Sequence, residues 1–320
     1  MLRPWRLLLP LLTGLLLPGR ALAEAPQGPS RCEGAPEGAG EGVYRPTTSG
    51  PFVALTAPLT ACGRLLLQPI LSVARTRGTY DARARHVPLA PGASQLATSM
   101  SLFLEYGVLE RVAAGAQLTV LHQRRRAGGR EAHATGPGDT LLFGRLGLLH
   151  ETAGGLPEAT LLAQVKLPTG RVKSAASTLL DTDVRGTGSA DLTVGLDFSK
   201  GARPVLLHLD LLYTHALPAH VGEVATAYGD TFSWSFSGEW PFLPERFALM
   251  LEASGRHQGA PRREGVEAAD GALGELVLGT GVEVLFGPDL QLLVGYQRTL
   301  WGRNVPAVDS FVATLVPTLF

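Results

Sequence analysis

The sequence predicts an all-β, transmembrane, antiparallel up-and-down β-barrel of about twelve strands. Three observations predict it: an export leader, a series of long segments of alternating polarity, and connections that run short and long in turn.

The leader comes first. Arg3 and Arg6 precede an apolar run from Leu7 to Leu17 that Pro10 and Gly14 interrupt, and Ala21-Leu22-Ala23 is a small-x-small cleavage site. This reads as a signal peptide over 1–23, cut after Ala23, without a lipobox cysteine. A membrane anchor would need about twenty unbroken apolar residues. Residues 24–61 are rich in Pro, Gly and Ala, with Glu33, Glu37 and Glu41 spaced through them, and hold neither a 3.6 nor a 2 period. They are expected to form a periplasmic segment placed to occlude part of the inner mouth. Cys32 and Cys62 are the two cysteines. In an oxidising compartment they are a disulfide candidate, with two free thiols as the alternative.

From residue 62 to 320 the texture changes to that of the barrel. Strands are expected at 63–77, 97–107, 111–123, 139–150, 158–168, 188–200, 203–215, 230–240, 246–257, 274–286, 290–300 and 308–320. Soluble strands average about five or six residues, whereas a tilted membrane-spanning strand needs about nine to eleven. Alternation is clear where Phe232, Trp234, Phe236 and Trp240 oppose Ser233, Ser235, Ser237 and Glu239. It is equally clear where Leu192, Val194, Leu196 and Phe198 oppose Asp191, Thr193, Asp197 and Ser199. One face suits hydrocarbon and the other water.

The connections support the same reading. Gly107–Glu110, Glu151–Pro157, Gly201–Ala202, Pro241–Glu245 and Gly287–Asp289 are short. Gly78–Leu96, Arg124–Gly138, Thr169–Thr187, Ala216–Gly229 and Gln258–Leu273 are long, and Trp301–Ala307 is intermediate. Short periplasmic turns and longer outer loops produce that rhythm. Val312, Val316 and Phe320 share one phase of the last strand, and a terminal aromatic there resembles the signal that barrel-assembly machinery reads.

Charge narrows the function. Lys+Arg and Asp+Glu are balanced at 28 each, so no basic field points to nucleic acid. Alternation assigns to the lumen Glu105, Gln117, Arg145, Gln164, Lys166, Asp191, Asp197, His208, Asp210, Glu239, Glu252, Arg256, Glu275, Glu283 and Gln297. These residues either solvate a filled interior or line a permeation path. Glycines inside strands, among them Gly195, Gly255, Gly281 and Gly295, are expected to make bends or room for a bulky neighbour. Trp234, Trp240, Trp301, Tyr213 and Tyr296 suit an interfacial aromatic belt. Arg124-Arg125-Arg126 at an outer strand end suits lipopolysaccharide phosphate or a solvated loop. His215 and His220 lack a third ligand, so neither a metal nor any other cofactor is expected. No Gly-x-Ser-x-Gly elbow is present and no serine partner for a histidine is evident, so no catalytic residue is assigned.

One stretch is more specific. Gly138-Asp139-Thr140 opens a strand that contains Arg145, then come Lys166-Leu167-Pro168-Thr169-Gly170 and Gly186-Thr187-Gly188-Ser189-Ala190-Asp191. This order resembles the outer-membrane barrel family named for the meta-pathway of phenol degradation. The resemblance covers about 139–200. It makes Gly138, Asp139, Arg145, Pro168, Gly170, Gly186, Gly188 and Asp191 the motif positions, and it implies structural roles for them, with Asp139 and Arg145 pairing in the lumen. It also implies an outer-membrane channel or uptake protein of a Gram-negative bacterium for small, hydrophobic or aromatic solutes. A surface-interaction barrel with a filled lumen is the first alternative, and a lipid-acting enzyme the second. The expected partners are outer-membrane lipids and lipopolysaccharide, the assembly machinery, and a small solute.

Overall fold

The computed structural model describes residues 43–44, 50–243, 246–286 and 290–319. The leader expected at 1–23, Cys32 and Phe320 lie outside the described residues.

Twelve long strands form the wall: β1 (Leu65–Tyr80), β2 (Ser94–Leu109), β3 (Val112–Ala127), β4 (Thr140–Leu149), β5 (Glu158–Leu167), β6 (Asp191–Ala202), β7 (Val205–Ala216), β8 (Thr231–Leu243), β9 (Phe247–Gln258), β10 (Leu273–Leu285), β11 (Leu290–Arg303) and β12 (Val305–Leu319). Each pairs antiparallel with its sequence neighbours, and β12 returns to β1 with Leu65 opposite Leu319 and Tyr80 opposite Val305. Closure leaves no strand edge, so the wall's amides and carbonyls can be paired where lipid offers no partner. No helix among the described residues is long and apolar enough to cross a membrane.

The alternation dictates which face is which. On β8, Phe232, Phe236 and Trp240 are exposed on the outside while Ser235, Ser237 and Glu239 are buried within. On β9, Leu249 and Leu251 face out and Met250 and Glu252 face in. A one-residue slip would exchange the two sets, which is why the register holds over most of each pair.

Three connections differ from the sequence expectation. The intermediate loop Trp301–Ala307 is absent: β11 and β12 run on to a tight turn at Asn304, whose φ is +53°. The long loop Arg124–Gly138 is a hairpin, in which β3 continues to Ala127, turns at Gly128-Gly129 and returns as a strand over Arg130–Pro137. Within Gly78–Leu96, His86–Pro88 pairs back onto β1. All three pieces extend the ladder past the stretches of clear apolar–polar alternation that mark the strands in the sequence. The outer loops after β7 and β9 also meet, forming a small sheet from Ala219–Val221, Val224–Ala227, Arg262–Arg263 and Val266–Glu267.

The largest difference lies before β1. The described part of the segment expected to be periplasmic, residues 50–61, runs inside the barrel against the wall.

Candidate functional site

The inner segment Phe52-Val53-Ala54-Leu55-Thr56-Ala57 has mainly apolar side chains and no strand partner, so its backbone amides need acceptors from elsewhere. The wall supplies them from inward side chains. The amides of Val53 and Ala54 donate to Glu252 Oε1 at 2.9 and 2.8 Å, and that of Leu55 donates to Asp210 Oδ2 at 2.6 Å. The Ala57 amide donates to Ser199 Oγ at 2.8 Å, and the Ala57 carbonyl accepts from Thr160 Oγ1 at 2.6 Å. Thr60 donates from both its amide and its hydroxyl to Glu105 Oε1, at 3.0 and 2.7 Å. Arg145 donates to the Thr56 carbonyl. In chain order these contacts pass from β9 through β7, β6 and β5 to β2, so the segment follows the inner wall as an arc.

Phe52 anchors the start of the arc. Its ring occupies a notch at Gly281 on β10 and Gly295 on β11, where a Cβ on Gly281 would come within 2.7 Å of the ring. Two of the strand glycines are thereby explained: they make room for an aromatic side chain of the segment that fills the lumen. Gly255 makes room for Trp234 and Gly195 for Leu212, whereas nothing crowds Gly144. At the other end, Gly107 on β2 closely approaches the Ala61 carbonyl, next to Cys62. Cys62 is disulfide-bonded.

Arg145 links the arc to the wall. It lies 3.0 Å from Glu105 and 3.3 Å from Asp197, and all three side chains are almost wholly buried. Buried carboxylates are acceptors only, and each needs donors to offset lost hydration. Asp210 draws them from Leu55 and Ser235. His208 Nδ1 and Ser199 Oγ share a 2.7 Å hydrogen bond, and His208 Nε2 stands 3.5 Å from Glu239.

The opposite side of the arc is open. A cavity of about 350 Å³ separates it from the wall of β1, β2, β3, β11 and β12. Leu66, Ile70, Phe103 and Val316 provide apolar surface there, and Gln68, Gln117 and Gln291 provide neutral polar groups. The Glu105–Arg145 pair borders this cavity. Phe103 is stacked on Phe143 with centroids 5.0 Å apart.

The motif residues gather elsewhere, at the outer ends of β4, β5 and β6. Asp139 Oδ1 accepts the Gly170 amide at 2.9 Å, and Lys166 Nζ reaches Asp191 at 2.5 Å and Asp139 at 3.8 Å. Thr169 Oγ1 donates to the Gly138 carbonyl at 2.9 Å. A Cβ at Gly170 would come within 2.7 Å of the Arg185 carbonyl, and one at Gly186 within 2.6 Å of Asp139, so both positions need glycine. Gly188 has φ +82°, also a glycine conformation. Asp139 therefore staples two loop ends and does not pair with Arg145, which takes Glu105 and Asp197 instead. Between these ends, Asp183 accepts from Thr178 Oγ1 at 2.7 Å and from the Ser177 amide at 2.8 Å, with Arg171 3.4 Å away. Those bonds, the Thr178 hydroxyl first, hold its carboxyl well below the usual carboxylate range.

The structure brings Arg145, Asp197, His208, Asp210 and Glu252 together around the arc, and Glu239 and Glu283 are buried too. Lys166 and Asp191 belong to the outer staple. Arg256 and Glu275 pair at 3.0 Å near the outer end of the lumen. Sequence reasoning missed Phe52, Thr160 and the Ser199–His208 pair. A signal for the arc was present: the inward positions held far more carboxylates than cations, so donors had to come from another part of the chain.

Among solved structures, the chain is similar to the COG4313 outer membrane channel from Pseudomonas putida F1, with TM-score 0.68 and 14% identity over 85% of this chain and 100% of that one. The β domain of the Bordetella autotransporter BrkA is similar at TM-score 0.46 and 11% identity, over 80% and 100% of the two chains. The transport unit of the Escherichia coli autotransporter AIDA-I is similar at TM-score 0.45 and 9% identity, over 80% and 90%. No curated protein matches the sequence. The family described as MetA-pathway of phenol degradation matches residues 92–315. With that match spanning most of the barrel, the chain belongs to this family of outer-membrane β-barrels.

Proposed function

We propose that the protein is an outer-membrane channel of a Gram-negative bacterium, delivered by its leader and folded by the barrel-assembly machinery, for small solutes of apolar or aromatic character. Solutes diffuse between the inner arc and the wall of β1–β3, β11 and β12. The observation that carries this reading is the 350 Å³ cavity, whose size lies at the lower end of ligand pockets. Its aromatic and aliphatic lining beside neutral amides suits a small ring with few polar groups better than a sugar. The family's association with phenol degradation, and the similarity to the outer membrane channel from Pseudomonas putida, support it. The test is flux into proteoliposomes of a monoaromatic acid against a sugar of similar mass. The expected result is faster entry of the aromatic; equal or faster sugar entry contradicts it.

The Ser199–His208–Glu239 arrangement favours a second reading, hydrolysis. Ser199 Oγ, however, receives the Ala57 amide and is only 5% exposed beneath the arc. In the channel reading these residues hold the arc and carry no catalysis. Hydrolysis of a labelled phospholipid by wild type but not by Ser199→Ala would reverse that assignment.

A further inference from the structure

The outer wall of β11, β12, β1, β2 and β3 changes character sharply along its height. One outward register row holds Val294, Ala313, Leu71, Met100 and Val120, all apolar. Four residues further along β1, the row is Arg298, Asp309, Arg75, Leu96 and Arg124. Arg77 and Arg126 lie beside it.

The height of this row is fixed by strand geometry. Leu65 marks the inner end of β1, and Arg75 stands ten residues later. At a rise of about 3.4 Å per residue and a tilt of about 40°, that separation is about 26 Å along the membrane normal. The apolar band of such barrels is about 25 Å tall. By the same measure Arg298, eight residues along β11 from Leu290, stands at about 21 Å and Arg124, twelve residues along β3 from Val112, at about 31 Å, so the arginines bracket the level where the outer leaflet's hydrocarbon meets its headgroups.

Their charge is not balanced from within. Asp309 lies 2.9 Å from Arg77 and 3.6 Å from Arg298, and Glu131 lies 2.6 Å from Arg124. Arg75 makes no ion pair among the described residues, Arg126 stands opposite Glu131 and shares it with Arg124, and both are exposed. Five guanidinium groups thus face two carboxylates. The far wall has no such excess: at a similar distance from the inner strand ends its outward row is Tyr213, Phe232 and His257.

We propose that this arginine row is a binding site for the phosphate groups of an outer-leaflet phosphoglycolipid of the lipid A type. Guanidinium groups bind phosphate through paired hydrogen bonds. Neighbouring strands are about 4.8 Å apart, so Arg298, Arg75 and Arg124 recur at about 10 Å, which suits a headgroup bearing more than one phosphate. The site holds a lipid against the wall that borders the inner cavity. It rests on the outer-membrane placement of the barrel and not on the identity of the solute.

The test is retention of diphosphoryl lipid A by the purified full-length protein, read by native mass spectrometry. Wild type is expected to retain it at least tenfold better than dephosphorylated lipid A or phosphatidylglycerol. The variant Arg75→Gln/Arg126→Gln/Arg298→Gln, with wild-type heat-modifiable migration, is expected to lose that preference, whereas His257→Gln on the far wall keeps it. Equal retention of the dephosphorylated lipid or of phosphatidylglycerol by wild type overturns the proposal, and this arm stands even if the triple variant fails to fold. Loss of lipid A binding with aromatic flux intact would separate this site from the channel reading.

Discussion

The two halves of the barrel wall treat the inner segment in opposite ways. From β5 to β9 the wall presents Thr160, Ser199, Asp210 and Glu252 to the segment's backbone and holds it against the sheet. From β11 through β3 it presents Ile70, Phe103 and Val316 beside three glutamines, and a cavity remains. The lesson is that a lumen can be narrowed without being filled: polar groups facing backbone amides draw a strand of chain close, while apolar groups facing it leave a gap. The same sheet, with the same alternation, thus provides both a clamp and a cavity wall.

The comparison can be broken most severely at Arg145, which joins the halves. Removing it leaves Glu105 and Asp197 as buried charges without their cation, a change that costs about 3–5 kcal/mol in comparable sites. Arg145→Ala should lower the temperature at which heat-modifiable migration is lost, and an unchanged midpoint would show that the cluster does not support the wall. The clamp alone is tested by Asp210→Asn/Glu252→Gln. Hydrogen bonds to charged groups contribute about 1.5–3 kcal/mol, and neutral ones about half that. Since about 1.4 kcal/mol is a tenfold change in population, the released state should rise about tenfold or more, seen as larger and noisier conductance in planar bilayers.

The anchor comes next. A side chain at Gly281 competes with the Phe52 ring, and overpacking of this kind costs about 1–3 kcal/mol. Gly281→Val should expose the arc to protease, with the barrel itself intact. On the open half, Phe103→Ala removes one partner of a stacked pair worth about 0.5–1.5 kcal/mol beyond its burial. It should raise aromatic flux modestly while leaving protease protection of the arc as in wild type. The smallest effect is expected at Asp183. Its folded carboxyl titrates below the unfolded one, so its contribution to loop order is present above the ordinary carboxylate range and is lost as pH falls through the depressed value. Asp183→Asn should increase proteolysis within 171–187 at neutral pH and abolish the further increase that strong acid produces in wild type.

Much of this was legible in the sequence because a membrane wall imposes a period of two on residues such as Phe232, Trp234 and Phe236. The same rule assigned Asp197, His208, Asp210 and Glu252 to one face, and all four are buried. What the period did not carry was pairing across the lumen. Asp139 and Arg145 are close in sequence, yet one closes an outer loop and the other an inner cluster, because their strand rises between them. The hairpin over Arg124–Pro137 was hidden for a different reason: water on both faces removes the contrast that marks a strand. The arc was hidden because its contacts run from backbone to distant side chains and impose no local pattern.

The central claim is that the arc lies against β5–β9 and leaves its passage along β1–β3, β11 and β12. Gln68 lines that passage, whereas Ser237 on β8 is wholly buried on the clamped side. Single cysteines at the two positions, reacted with a charged methanethiosulfonate during a bilayer recording, test it directly. The account predicts that Gln68→Cys is modified and its current falls, while Ser237→Cys does not react until Asp210 and Glu252 are neutralised. Rapid modification of Ser237→Cys with no effect at Gln68→Cys would contradict it.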